Sequence, residues 1–375
     1  MRIVFWTNCL SPHLLPFIVH LTDDERVDEV VVCAAEDVSA ERKDMGWSIG
    51  KYEGLDRCIF YINPNPSVID SLMKKRTADS WHVFSGIRAY TFVFECLKHS
   101  IQYKLKRGMI SERPNTYDFK HNVPKAKPYW LHRIRFLLQD SQYAKHMDFV
   151  FAMGQEAVRY FRSVGMKWEV FPFCYCTEFI KYHERLIQDN NSPQFLYCGS
   201  LSTRKSPKTI LEGVVEIGNS FSGRVSFIGD GVLKPELEEY IAENNLGNIV
   251  TLLGTKEQSE IPKYMQQADV LILPSLYDGW GAVINEALQT GCYIICSDAC
   301  GASDLLLGNQ RLGKVFHYGD VKELVIAMKW CNEHIKEIRA DKTFRVKWAE
   351  NHISGKVVAK YFVDCLLGST PASLR

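Results

Sequence analysis

The densest group of chemically useful residues lies in a loop after a strongly apolar run. Residues 270–273 (VLIL) are followed by Asp278, Gly279, Gly281 and then Glu286. Glycines let a backbone approach a ligand closely, and the N–H groups at the start of a helix attract anions. We therefore predict that a helix begins near Gly281 and that the loop before it binds an anionic ligand.

Asp278 and Glu286 could also act as a pair of carboxylates. They are eight residues apart. Eight residues of helix span about 12 Å, whereas the carboxylate pairs of glycoside hydrolases stand about 5–9.5 Å apart. The spacing therefore favours one carboxylate for each end of an extended ligand. The alternative is that Asp278 caps the helix in solvent and that Glu286 is an exposed helical residue.

A second candidate anion site follows residues 195–198. Its loop contains Arg204 and Lys205, and Ser206-Pro207 suits the start of a helix, because serine can cap it and proline fits its first position. Arginine binds phosphate oxygens in a bidentate manner, and lysine binds them as a mobile point charge. The pair could hold a diphosphate. Two adjacent cations in a polar loop are also typical of a solvated surface.

Glycines mark two further turns of this kind. Gly199 follows the apolar run 195–198, and Gly229-Asp230-Gly231 follows residues 225–228. The second turn is too short for a dinucleotide fingerprint, and the chain contains no G-x-x-x-x-G-K-[ST] loop, so neither NAD nor P-loop chemistry is supported. Several such turns within one domain indicate a ligand site more strongly than any one of them.

The twelve cysteines include Cys292, Cys296 and Cys300, whose even spacing raises the question of a metal site. Residues 293–297 are predicted to form a buried strand, so the flanking side chains diverge, and zinc signatures use other spacings. Structural thiols are therefore favoured over metal ligands. Twelve cysteines in a chain without a secretion signal favour reduced thiols in the cytoplasm.

Regularly alternating strands and helices position these loops in the second half of the chain. Strands this apolar, separated by helices, indicate a parallel sheet buried on both faces, which is a doubly wound α/β domain. The predicted strands are residues 195–198, 225–228, 249–253, 270–273 and 293–297, and the predicted helices are 207–217, 234–244, 261–267 and 282–290.

The first half shows a similar but less regular pattern. A turn is predicted at residues 7–11, a helix that opens at Pro12, and a linker at 188–193. Two doubly wound domains would leave a cleft, in which ligands bind beyond the carboxyl ends of the strands. The predicted strands of this half are residues 3–6, 29–34, 58–62, 81–84, 109–111 and 149–152.

Length and composition limit the class of protein. A chain of 375 residues predicts two domains, and 46% hydrophobic with 24% charged residues excludes a disordered or fibrous chain. The balance of 45 Lys and Arg against 44 Asp and Glu argues against a dedicated nucleic-acid binder. The uncharged stretch 3–22 is interrupted by polar residues and prolines, so it predicts neither a signal peptide nor a membrane span.

Residues 101–150 carry a local excess of positive charge, with 10 basic and 4 acidic side chains. Basic residues lie beside Tyr103, Tyr129 and Trp130, a combination that suits an anionic membrane surface or a lipid-diphosphate acceptor. A solvated helix face is the alternative.

The motifs between residues 195 and 306 resemble those of a known family. FLYCGSLSTRKSP, FIGDG, VTLLGT and PSLYDGWGAVINEALQTGCYIICSDACGASDLL are similar, in order and spacing, to the donor domain of family-four retaining glycosyltransferases. The resemblance implies the GT-B fold, with two doubly wound Rossmann-like domains facing a central cleft. It implies an acceptor domain at residues 1–187, a donor domain at 194–345, and a C-terminal helix within 346–375 that packs back on the first domain.

The resemblance assigns roles to the matching positions of the donor domain. Arg204 and Lys205 would bind the donor's diphosphate and Glu286 the ribose, while Asp278 stands where the family usually has Glu and would serve the sugar hydroxyls. Backbone amides at 281–283 would contact the distal phosphate, and the loop at Thr255 the base. The candidate donor-binding residues are Gly199, Gly229, Asp230, Gly231, Thr255, Gly279, Trp280, Gly281, Ala282 and Val283.

On the acceptor side the chain departs from the family pattern. The family often has a histidine at the end of a strand facing the cleft, and here Glu112 follows the corresponding strand. Glu112 is therefore a candidate catalytic residue that orients the acceptor hydroxyl, and the alternative is a loop residue paired with Arg113. His13, after the first strand, is a candidate for contact with acceptor or phosphates. His82 is predicted to be structural.

The predicted activity is transfer of a hexose from a nucleotide-diphosphate sugar to an acceptor hydroxyl with retained configuration. No cofactor is predicted, and no DxD-like pair is present, so metal independence is expected. By resemblance, the partners are a nucleotide sugar and a glycan or lipid-linked acceptor, in surface polysaccharide or glycolipid synthesis. The expected location is the cytoplasm or the inner face of the cell membrane. The alternatives are a non-catalytic nucleotide-sugar-binding protein and a nucleotide-sugar epimerase.

Overall fold

The computed structural model of the protein describes residues 1–38, 54–75, 77–115, 117–118, 121, 123–124, 129–177 and 192–369. The chain divides into two compact units. Unit 1 is drawn from residues 1–115, 126–178 and 352–375, and unit 2 from residues 116–125 and 179–351. Most of the predicted linker at 188–193 lies outside the described residues.

Unit 1 is built on a seven-stranded sheet in the order β3-β2-β1-β4-β5-β8-β9. All of its paired strands run parallel. The order reverses direction between β1 and β4, as it does in doubly wound folds. The strands are β1 (Arg2–Cys9), β2 (Glu29–Glu36), β3 (Ile59–Ile62), β4 (Ser80–Ser85), β5 (Lys106–Ser111), β8 (Phe149–Met153) and β9 (Glu169–Phe173).

The helices of unit 1 come from both ends of the chain. They are α1 (Leu15–His20), α2 (Pro66–Lys74), α3 (Thr91–Ser100), α4 (Tyr129–Gln139), α5 (Ser141–Ala144), α6 (Gly154–Ser163) and α14 (Gly355–Leu366). The C-terminal helix α14 packs against α1 at close range, because a Cβ on Gly355 would stand 2.5 Å from the carbonyl oxygen of Pro16. Phe362 of α14 stacks on Phe151 of the sheet with ring centroids 4.3 Å apart.

Unit 2 is built on a six-stranded parallel sheet in the order β12-β11-β10-β13-β14-β15, which is the Rossmann order. Its strands are β10 (Gln194–Cys198), β11 (Arg224–Ile228), β12 (Val250–Leu252), β13 (Val270–Leu273), β14 (Tyr293–Ser297) and β15 (Gly313–Phe316). A small antiparallel hairpin, β6 (Tyr117–Asp118) and β7 (Val123–Pro124), is assigned to the same unit.

The helices of unit 2 follow its strands. They are α7 (Lys208–Ile217), α8 (Lys234–Glu243), α9 (Ile261–Gln267), α10 (Val283–Gln289), α11 (Val321–Glu333), α12 (Ile335–Ala340) and α13 (Lys342–Ile353). β13 and β14 are buried at every position, as expected for strands covered on both faces. The prediction of two doubly wound parallel α/β domains is confirmed. No described helix is long and apolar enough to cross a membrane.

The structure differs from the sequence predictions at the start of the chain and at two edge strands. The turn predicted at residues 7–11 and the helix predicted to open at Pro12 are wrong, because β1 continues to Cys9 and the first helix begins only at Leu15, with Pro16 in its first turn. β9 and β15 were not predicted. Both are edge strands with partly exposed residues, so neither shows the continuous apolar run of a central parallel strand.

Candidate functional site

Two candidate loops of unit 2 flank the point where its strand order reverses. The 199–206 loop follows β10, and the 274–282 loop follows β13, which is the neighbour of β10 in the sheet. In open parallel sheets, ligands bind at this reversal, outside the carboxyl ends of the strands. The fold therefore brings Arg204 and Lys205 to the same place as Asp278, although these side chains are more than seventy residues apart in the chain.

Direct bonds join the two loops. The Lys205 ammonium forms an ion pair with the Asp278 carboxylate, and both side chains are more than four-fifths buried. The Arg204 guanidinium donates a hydrogen bond to the carbonyl oxygen of Tyr277 at 2.9 Å, and the amide of Leu276 donates to the carbonyl oxygen of Arg204 at 2.8 Å. These bonds hold both cations against the 274–282 loop, and the solvated-surface alternative does not fit them.

The ion pair sets the charge of Asp278. Burial by itself would raise the pKa of this carboxyl group, but the charges of Lys205 and Arg204 and the hydrogen bond from Lys205 hold its pKa below the usual value. Asp278 is therefore ionised at neutral pH. It offsets one of the two positive charges, so the loops present a smaller positive excess than the sequence alone predicts.

Glu286 has the opposite environment. It lies on α10 near the buried Cys198, and burial raises its pKa to about 7. The thiol of Cys198 has its pKa raised to about 12 by burial, and Glu286 raises it while Lys205 lowers it. Asp278 and Glu286 are thus two carboxyl groups of one site with pKa values driven apart. The alternative of Glu286 as an exposed helical residue is wrong, since the side chain is partly buried.

Close backbone contacts fix the glycine turns of unit 2. The amide of Gly229 donates to the carbonyl oxygen of Gly254 at 2.9 Å, and the amide of Leu201 donates to that of Asp230 at 2.9 Å. A Cβ on Gly229, whose φ is 133°, would stand 1.9 Å from the carbonyl oxygen of Gly199. The turns after β10, β11 and β12 are therefore interlocked, and they place the exposed Thr255 beside them.

The glycine loop after β13 is tied to the loop after β14. Asp278 forms a parallel bridge with Cys300, and the amide of Ala302 donates to the carbonyl oxygen of Trp280 at 2.7 Å. The buried Trp280 indole donates to the side chain of Asn285 at 2.8 Å, so this ring contributes to the structure of the loop. Gly281 has a φ of 90°, a conformation that favours glycine, and α10 begins two residues later.

One residue beside this site was missed from the sequence. Tyr117 is buried in unit 2 and stacks on Tyr277, with ring centroids 6.2 Å apart and planes 22° apart. It supports the segment that leads to Asp278. Its hairpin has only two residues in each strand, too short to give a periodic signal.

In unit 1 a second group forms from residues after three different strands. The hydroxyl of Tyr175 donates to Oε1 of Glu112 at 2.9 Å, and the ring of Tyr175 lies 5.9 Å from the imidazole of His13, centroid to centroid. The structure therefore brings the candidates Glu112 and His13 together through a tyrosine that sequence reasoning did not single out. Tyr175 follows β9, an edge strand without a continuous apolar run, so the sequence gives no strand signal that would mark this loop.

His82 and the cysteines have structural surroundings. His82 is fully buried, accepts a hydrogen bond from the Trp6 indole at 3.1 Å, and has its pKa lowered to about 3 by burial, with Arg2 and Arg107 adding to the effect. The thiol of Cys292 donates to the carbonyl oxygen of Met265 at 3.0 Å. Across the residues that the structure describes, no group of three His, Cys, Asp or Glu side chains could hold a metal ion.

The basic segment 101–150 divides into buried and exposed parts. Arg107 is buried and donates to the carbonyl oxygens of Ser100 and Tyr103, so it is not available to a partner. Helix α4 is mostly exposed, with Arg133 and Arg135 in solvent. It also exposes large apolar side chains, namely Trp130 (58%), Leu131 (38%), Ile134 (44%), Leu137 (40%) and Leu138 (77%).

Comparison with solved structures identifies the fold. The chain matches the crystal structure of HepE from Anabaena in complex with UDP with a TM-score of 0.70 and 15% identity, covering 98% of this chain and 100% of that one. The two parallel α/β units are those of the GT-B fold. Residues 178–352, which carry every unit 2 candidate, match the family described as glycosyl transferases group 1. This part of the chain, which makes up most of unit 2, is similar to that family.

Curated relatives match shorter parts of the chain. The sulfoquinovosyl transferase SQD2 of Arabidopsis thaliana is 27% identical over 142 residues, which is 36% of this chain and 26% of that protein. The UDP-Gal:alpha-D-GlcNAc-diphosphoundecaprenol alpha-1,3-galactosyltransferase of Escherichia coli is 30% identical over 142 residues, which is 37% of this chain and 36% of that protein. The chain thus spans about a third or less of the length of these relatives.

Proposed function

We propose that the protein is a retaining glycosyltransferase that moves a hexose from a nucleotide-diphosphate sugar to an acceptor hydroxyl. The observation that carries the proposal is the joining of the 199–206 and 274–282 loops at the strand-order reversal of unit 2, where Arg204 and Lys205 bond to Tyr277 and Asp278. Glu286, whose pKa is raised by burial, follows the second loop on α10. The match of residues 178–352 to the glycosyl transferases group 1 family supports the same reaction.

The charges of the site match the charges that develop during transfer. The bond from the anomeric carbon to the diphosphate oxygen breaks, the bond from that carbon to the acceptor oxygen forms, and the acceptor proton leaves with the diphosphate or solvent. Arg204 and Lys205 stabilise the negative charge that grows on the diphosphate. This role is often filled by a metal ion, so we propose that transfer proceeds without one.

The remaining donor contacts follow from the position of each residue. Glu286 accepts hydrogen bonds from the ribose hydroxyls when it is ionised, and Asp278 serves the sugar hydroxyls. The amides at 281–283 contact the distal phosphate, since the first N–H groups of a helix have no partner within it. UDP is bound by HepE, which makes uridine the first nucleotide to test.

Substitutions in these loops test the proposal. Release of UDP from UDP-sugars is measured with EDTA present, in the wild type and in Lys205→Ala and Glu286→Ala. We expect both variants to lose at least about a hundredfold in rate. Lys205→Ala removes a donor to the developing charge, which has an effect of this size, and Glu286→Ala removes the proposed ribose contact. Lys208→Ala and Glu216→Ala are the controls, because Lys208 pairs with Glu236 on the surface and Glu216 is exposed.

The controls should retain the wild-type rate. Wild-type turnover in both Lys205→Ala and Glu286→Ala, with folding intact, would overturn the proposed site. Loss of wild-type activity on adding EDTA would overturn metal independence. The residue assignments would then be tested by comparing the same variants with the wild type without EDTA.

The acceptor is proposed to be a glycan or lipid-linked sugar reached at the inner face of the cell membrane. Two observations support this: the Escherichia coli relative acts on a diphosphoundecaprenol-linked sugar by name, and α4 exposes apolar side chains together with Arg133 and Arg135. Phe136, on the opposite face of α4, is buried against Tyr160 and Trp168 and anchors the helix. An exposed apolar stripe with basic flanks suits the interface of an anionic bilayer.

Vesicle sedimentation tests the membrane contact. The wild type should pellet at low salt with vesicles that contain about one third anionic phosphatidylglycerol, since each basic residue near such a surface contributes about 1 kcal/mol. The double variant Trp130→Ser/Leu138→Ser should stay in the supernatant. Leu307→Ser/Ile326→Ser removes two equally exposed apolar side chains of unit 2 and should still pellet. No pelleting of the wild type would remove the membrane proposal.

A further inference from the structure

We propose that Glu112, Tyr175 and His13 form an acceptor-binding site for a sugar hydroxyl on unit 1, in which Tyr175 is a positioning residue that orients the Glu112 carboxylate. The inference rests on the proposed function, because it names the place where the acceptor of that reaction binds. The juxtaposition that carries it is the hydrogen bond of 2.9 Å from the Tyr175 hydroxyl to Oε1 of Glu112, beside the His13 ring.

The three residues follow separate strands of one sheet, at the edge where the strands end. His13 follows β1, Glu112 follows β5 and Tyr175 follows β9, and β4 and β8 stand between these strands in the sheet. The carboxyl ends of parallel strands share one edge, which is where ligands bind in this fold. The chain must therefore cross that edge to bring Tyr175 to the other two.

The segment 174–177 makes this crossing. The amide of Cys176 donates to the carbonyl oxygen of His13 at 3.1 Å, and Thr177 forms a parallel bridge with Ser354 at the start of α14. Cys174 and Cys176 are buried while Tyr175 between them is partly exposed. Since successive side chains of an extended segment point to opposite sides, burial of both cysteines directs Tyr175 away from the core.

The arrangement suits a neutral hydroxyl ligand. A carboxylate has about four acceptor positions on its two oxygens, so it can accept from Tyr175 at Oε1, which fixes its orientation, and also from other donors. Hydrogen bonds to ionised groups are roughly twice as strong as neutral ones. A sugar hydroxyl can donate a hydrogen bond to such a carboxylate, and this bond sets the direction of the lone pairs on the hydroxyl oxygen. The aromatic ring of Tyr175 supplies a flat apolar surface for the sugar ring.

Kinetics with defined glycosides test the inference. Octyl hexosides are screened as acceptors with UDP-sugars, and the best pair is used for the wild type, Tyr175→Phe, Glu112→Gln and the double variant. Tyr175→Phe should raise the acceptor KM at least about fivefold, leaving the donor KM and the slow hydrolysis of the donor by water unchanged. The double variant should be no worse than Glu112→Gln alone, because both changes remove one shared interaction.

Tyr103→Phe is the matched control, because it removes another tyrosine hydroxyl bonded to a carboxylate of unit 1, that of Asp70. It should leave the acceptor KM unchanged. A wild-type acceptor KM in a folded Tyr175→Phe, or additive effects in the double variant, would overturn the inference. Absence of any donor turnover by the wild type would instead overturn the proposed function.

Discussion

Replacing Glu286 by glutamine should change how the stability of the protein depends on pH. Burial raises the pKa of Glu286 from its ordinary value of 4.5 to about 7, so the folded state binds this proton more tightly than the unfolded state. The stabilisation is complete below pH 4.5 and is lost as the pH rises through 7. Glutamine does not titrate, so Glu286→Gln lacks this loss.

The two pKa values give the size of the effect. At pH 5 the Glu286 carboxyl lowers the free energy of unfolding by about 1 kcal/mol relative to its fully protonated state, and at pH 8 by about 3 kcal/mol. The difference in stability between Glu286→Gln and the wild type should therefore grow by about 2–3 kcal/mol from pH 5 to pH 8 in favour of the variant.

Urea denaturation of both proteins at several pH values measures this difference. All other titrating groups are shared, so their contributions cancel in the comparison. Glu216→Gln, an exposed position, should run parallel to the wild type. A constant gap between Glu286→Gln and the wild type from pH 5 to pH 8 would refute the raised pKa and the buried environment that causes it.

The same pKa predicts how nucleotide binding varies with pH. If the ribose hydroxyls require the ionised form of Glu286, the affinity of the wild type for UDP should be about tenfold weaker at pH 6 than at pH 8 from this group alone. UDP itself also titrates in this range, so the comparison uses the ratio of the wild-type affinity for UDP to that of Glu286→Gln at each pH. A ratio independent of pH would contradict the ribose contact.

Two further predictions concern the loops of unit 2. Gly229→Ala should lower the free energy of unfolding by about 3 kcal/mol, because its Cβ would stand 1.9 Å from the carbonyl oxygen of Gly199 at a φ of 133°, whereas a Cβ on Gly247 meets nothing within 4 Å. The prediction is refuted if urea denaturation gives the same free energy of unfolding for Gly229→Ala and Gly247→Ala. Asp278→Asn should bind UDP at least about threefold more tightly, because it releases Lys205 from its carboxylate; calorimetry showing weaker binding would contradict the charge assignment.

The fold of unit 2 could be predicted closely from the sequence, because its central strands are buried on both faces. Such strands appear as short continuous apolar runs, and both β13 and β14 were predicted with their observed bounds. The edge strands β9 and β15 could not be predicted in this way. Glu169 and Pro172 leave β9 without a continuous apolar run. As an edge strand it forms hydrogen bonds along one side only, so it can contain a proline.

The sequence predicted where the candidate residues of unit 2 lie relative to the strands, but not the contacts between them. The positions of Lys205 and Asp278 after strands were evident, whereas their ion pair depends on β10 and β13 being neighbours, which is a property of the strand order. The raised pKa of Glu286 depends on burial, which is set by the packing around α10 and is not evident from the sequence. Tyr175 was missed because the strand that precedes it was missed.

Analysis of the reaction products tests the central proposal most directly. The protein is incubated with UDP-sugars, an octyl hexoside and EDTA, and the products are examined by mass spectrometry and NMR. We predict that the hexoside gains one hexose, with UDP released, and that the new linkage keeps the anomeric configuration of the donor. Two outcomes would contradict the proposal: a nucleotide sugar that binds and stays unchanged, and an epimerised nucleotide sugar formed without any acceptor.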